Sequence, residues 1–116
     1  MALVEVEGCI FDKQQLGLSR GFEALDPVAR EAFVNHIHIG GEDREAVADL
    51  IVRSWVADMR SRWPDRAFRI YRHSESSEVV IRFHVVRRGL PNWSEGIEDV
   101  VEVGKPSIGS AATECG

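Results

Sequence analysis

Apolar and polar positions along this chain alternate, then take up helical spacing, then alternate again, and that order predicts an α+β domain. Ala2 to Glu7 alternates apolar with acidic residues, the two-residue period of a short strand. Gly8 to Gly21 has glycines at 8, 17 and 21 without a sustained period and reads mostly as loop. Asp26-Pro27 then makes a helix start, an N-cap acceptor followed by proline where its missing N–H costs nothing.

Two readings compete for residues 34–39. As a helix, Val28, Ala29, Ala32, Phe33, His36, Ile37 and Ile39 share one broad face and Gly40 terminates it. As a strand, Val34, His36 and His38 point one way. The start and stop signals favour the helix. Glu42 to Trp63 is the clearest element: Ala46, Val47, Ala48, Leu50, Ile51, Val52, Trp55, Val56 and Met59 cover about half the helical circumference, and Pro64 ends it. An arc so wide suits a helix between two layers or one contributing to self-association. Asp49 and Arg53, four apart, are placed to pair.

Runs 67–73 and 78–88 flank Ser74-Glu75-Ser76-Ser77 and read as a hairpin. Pairing His73 with Glu78 places Phe68, Ile70 and Arg72 on one face with Val79, Ile81, Phe83 and Val85, which the long helix covers. A further strand is expected at 97–103. The antiparallel sheet thus has strands at 67–73, 78–88 and 97–103, with 2–7 a possible fourth. Residues 1–104 form the single expected domain, and 105–116 read as a disordered tail.

Charge is segregated along the chain. Residues 1–52 hold four basic and ten acidic side chains (−6), 53–88 nine arginines against four acids (+5), and 89–116 one lysine against five acids (−4). In the expected register Arg69 lies opposite Arg82, and like charges paired across strands destabilise unless something compensates. Arg69, Tyr71, Arg82, His84 and Arg88, with Trp93 in the following loop, are therefore the candidate ligand face for a small anion or an acidic protein partner. The alternative is that Glu98 and Glu102 on the next strand neutralise the arginines within the fold.

Other chemistry has less support. One aromatic on the arginine face and a pI near 5.3 argue against nucleic acid. No nucleophile elbow, phosphate loop or cofactor fingerprint is present, so an enzyme is the less favoured reading and no cofactor is expected. A metal-dependent enzyme is an alternative: His-x-His on a strand would point two imidazoles one way, giving His36, His38 and His84 as ligands. A structural, oligomer-forming subunit is a third possibility. Cys9 and Cys115 fit no chelating or redox spacing and read as two reduced thiols. With no signal-like start and no span of 18 apolar residues, the expectation is a soluble cytoplasmic protein without membrane contact. The reading that follows is a binding or regulatory module of bacterial type, self-associating, that uses its arginine face.

Overall fold

The computed structural model describes residues 2–22, 25–94 and 99–104. The chain opens with a hairpin of β1 (Leu3–Val6) and β2 (Cys9–Asp12). It closes through Glu7-Gly8, both at positive φ (51° and 91°), the turn form that matches strand twist. All four β2 side chains are buried, so no alternation marks this strand in a stretch expected to be loop. A 3₁₀ helix follows over Lys13–Phe22.

Helix α1 (Pro27–Val34) starts as expected, with the Asp26 side chain accepting from Ala29 N–H at 2.9 Å. It ends earlier than expected, and the favoured helical reading of 34–39 is corrected. Asn35 caps α1, and β3 (Ile37–Gly40) pairs antiparallel with β5 (Glu78–Val85). The ladder to β5 satisfies backbone groups that a continued helix would have left without this partner, so tertiary pairing overrides the local helix signal.

Helix α2 (Arg44–Arg62) lies on one face of a four-stranded sheet ordered β3-β5-β4-β6, with β4 at Phe68–Ser74 and β6 at Asp99–Val103. The α+β expectation holds, with one change: residues 2–7 join the separate hairpin, not this sheet. Trp55, Met59 and Trp63 pack on Phe68, Ile70, Ile81 and Phe83, and Trp55 meets Phe83 edge-on at 4.8 Å between centroids. Val47 and Leu50, part of the wide apolar arc, are exposed. Asp49 meets Arg72 of β4, not Arg53, and Glu45 shares that guanidinium, fixing the start of α2 to the sheet.

The β4–β5 register differs from the expected one by two residues. Glu75 N–H donates to Glu78 O at 2.8 Å, so Ser76-Ser77 form a two-residue turn and Ser74 pairs with Val79. A shift of two keeps every side chain on its expected face but changes its neighbour. Arg69 thus opposes His84, and Tyr71 opposes Arg82; the expected Arg69/Arg82 pair does not form. Beyond β6, a side chain at Gly104 (φ 73°) would meet Arg66 O at 2.5 Å, so only glycine fits there. Residues 105–116 and 95–98, which include Glu98, lie outside the described residues. Among those described, no helix is long and apolar enough to cross a membrane.

Candidate functional site

The face of the sheet turned away from α2 carries His38 from β3, Val80, Arg82 and His84 from β5, and Arg69, Tyr71 and His73 from β4. Its two ends are built differently.

At the end near β2 and α1, Asp12, Glu31, Asn35 and Arg87 are buried. Glu31 lies on the inner stripe of α1 with Val28, Ala32 and Asn35 and is fully buried. Its carboxylate accepts from Ile10 N–H (2.7 Å) and Val85 N–H (3.0 Å) and takes both arms of Arg87, one of them at 3.2 Å. Arg87 also donates to Gly8 O at 2.9 Å. Burial pushes the Glu31 carboxyl up, opposed by Arg87 and the two backbone N–H groups. Asn35 extends the enclosure, accepting from Asp12 N–H and donating to Ile10 O, both at 2.8 Å, and Asp12 accepts from the Trp55 indole at 3.1 Å. Cys9 is buried close by, and among the described residues no cysteine is a free thiol, contrary to expectation. Cys115 lies outside the described residues.

His84 belongs to this enclosed end as well, and Tyr71 links it to the open one. His84 Nδ1 faces Val85 O at 2.9 Å, which can only accept, so Nδ1 carries the proton. Nε2 then accepts from Tyr71 O–H (2.8 Å) and Trp93 N–H (3.3 Å), and the Tyr71 oxygen accepts from Ser94 N–H at 3.5 Å. Burial, with the positive charges of Arg87 and Arg69 adding to it, lowers the His84 pKa to about 4 despite the Val85 carbonyl. Neutral His84 and Tyr71 are thus the post that holds the 92–94 loop over the sheet.

The other end is open. A cleft of about 360 Å³ is lined by His38, Tyr71, His73, Val80, Arg82 and Trp93, together with Glu75 and Glu78. The Trp93 ring roofs Arg82 with 4.2 Å from guanidinium carbon to ring centroid and meets Tyr71 edge-on. Arg82 donates one long bond, 3.3 Å, to Ala32 O and has no carboxylate partner among the described residues. Burial alone lowers its pKa. Glu78 and Glu75 are engaged with His38 (2.6 Å) and His73 (3.4 Å).

The expected site residues therefore separate. Tyr71, Arg82 and Trp93 come together in the cleft, and His84 supports it from beneath. Arg69 is paired with Glu102 at 2.8 Å, so for this arginine charge is neutralised within the fold. Arg88 is exposed and does not line the cleft. The set His36, His38 and His84 is not assembled, because His84 is interior with Nε2 occupied. Among the described residues no three His, Cys, Asp or Glu groups are placed to hold a metal together. The Glu31–Arg87 pair went unread in the sequence. Its available signal was the intrusion of Glu31 and Asn35 into an apolar stripe at spacings of three, four and seven.

No family model, curated protein or solved structure matches this chain.

Proposed function

We propose that the chain is a non-enzymatic binding module whose cleft takes up a carboxylate, either of a small molecule or of an acidic side chain or terminus of a protein partner. The observation that carries this reading is Arg82, a half-buried guanidinium beneath Trp93 with no carboxylate partner among the described residues. Arginine in such a position presents a planar donor fork that a carboxylate satisfies with two parallel bonds. A cleft of about 360 Å³ lies in the size range of small-ligand sites, and Tyr71, Val80 and Trp93 supply apolar wall around one cationic group. Glu75 and Glu78 in the same cleft disfavour a multiply charged phosphate relative to a single carboxylate.

The test is an NMR titration of the full chain with acetate and benzoate against chloride at equal ionic strength. Saturable shifts of the Trp93 indole N–H and the Arg82 Nε–H are expected, benzoate binding more tightly than acetate, and Arg82→Gln removing both. Equal, non-saturating shifts in all three salts would overturn the reading.

A further inference from the structure

We propose that His36 and His38 form a two-histidine site for a divalent transition metal at the lip of the cleft. This inference does not rest on the carboxylate reading. Both imidazoles are oriented by groups that can only accept: His36 Nδ1 lies 2.5 Å from Phe33 O, the carbonyl of the last turn of α1, and His38 Nδ1 lies 2.6 Å from the Glu78 carboxylate. Each Nδ1 therefore carries the proton, which leaves each Nε2 as an unprotonated donor atom for a metal when the rings are neutral. Neither Nε2 has a partner among the described residues. A second-sphere carbonyl or carboxylate holding the far nitrogen is how metal-bound histidines are fixed in tautomer and orientation.

The ring geometry agrees. The two centroids are 5.2 Å apart with planes at 80°. Two imidazoles bound through one nitrogen each, about 2.0–2.1 Å from a tetrahedral metal, have centroids about 5 Å apart. The spacing follows from the end of α1 at Val34 and the start of β3 at Ile37, between which the chain leaves the helix. Had the helix continued, the two rings would have pointed about 200° from one another around its axis. No third protein ligand is supplied among the described residues. The remaining positions are thus left to water or to an exogenous ligand. His38 lines the Arg82 cleft, so a ligand held there lies next to those positions. Imidazole ligation suits zinc, copper or nickel over calcium or magnesium.

Tag-free protein titrated with zinc, read by calorimetry and by the histidine ring signals, tests the site. One saturable zinc per chain is expected, with His36 and His38 shifting together and His73 and His84 unmoved. His36→Ala and His38→Ala should each weaken binding by about tenfold or more, and Glu78→Gln by about tenfold through the orienting bond. His73→Ala and Arg82→Gln should leave zinc affinity unchanged, so loss of carboxylate binding and loss of the metal site are separable. Absence of saturable binding at millimolar zinc, or equal affinity in His38→Ala, would overturn the proposal.

Discussion

The two ends of one sheet face place the same residue types in opposite settings. At the enclosed end, Arg87 meets Glu31 through both arms, and the carboxylate takes two backbone N–H groups as well. At the open end, Arg82 meets a tryptophan ring and one distant carbonyl. A charge taken from water without a partner is costly, so satisfied charges fasten a fold while an unsatisfied one is a place where a ligand gains most. Arg69, paired to exposed Glu102 at the sheet's β6 side, is intermediate and contributes little either way.

The largest effect that would break this contrast is at Glu31. Glu31→Ala removes the carboxylate from buried Arg87 and the acceptor of two backbone N–H groups, and should cost about 3–5 kcal/mol in urea denaturation. A loss under 1 kcal/mol would mean that the enclosed end is no more structural than the open one.

Next in size is a pH effect located at His84. In the folded protein its pKa lies at about 4, against 6.5 unperturbed. Between those values the unfolded chain binds more protons than the folded one. The stability that neutral His84 contributes is therefore complete above pH 6.5 and is lost as pH falls toward 4, a loss of about 3 kcal/mol. His84→Gln should flatten the slope of stability against pH in that window, measured as denaturation midpoints from pH 7 to 4.

Smaller again is Tyr71→Phe, which deletes the hydroxyl between Ser94 and His84 and should cost about 1 kcal/mol while loosening the Trp93 loop. Faster amide exchange at residues 92–94 checks the second part. Smallest is Glu102→Gln, expected to change stability by about 0.2–1 kcal/mol. If it instead created carboxylate binding at Arg69, the distinction between the two arginines would be one of occupancy alone.

The core of this molecule was legible because it follows from period. The α2 stripe and the alternation in β4 and β5 each depend on local spacing, and a register shift of two left the faces intact. What local spacing does not encode is closure through distant chain. Glu31 accepts from residues 21 and 54 positions away, and Arg87 reaches back 79 residues to Gly8. Helix β-strand competition at 34–39 was decided by β5, some 40 residues on. Of the candidate site, Tyr71, Arg82 and Trp93 were readable as a face. The separation of Arg82 from Arg69 was not, since it depends on which neighbour the Ser76-Ser77 turn selects.

On the proposed reading, Arg82 serves a ligand and not the fold. Urea denaturation of wild type and Arg82→Gln, each with benzoate or with chloride at equal ionic strength, tests it most directly. Ligand bound only to the folded state raises its midpoint. Equal midpoints are expected for the two proteins in chloride, within about 0.5 kcal/mol, with a benzoate-induced rise in wild type alone. A fall in the Arg82→Gln midpoint in chloride on the scale of the Glu31 variant, or an equal benzoate effect on both proteins, would contradict it.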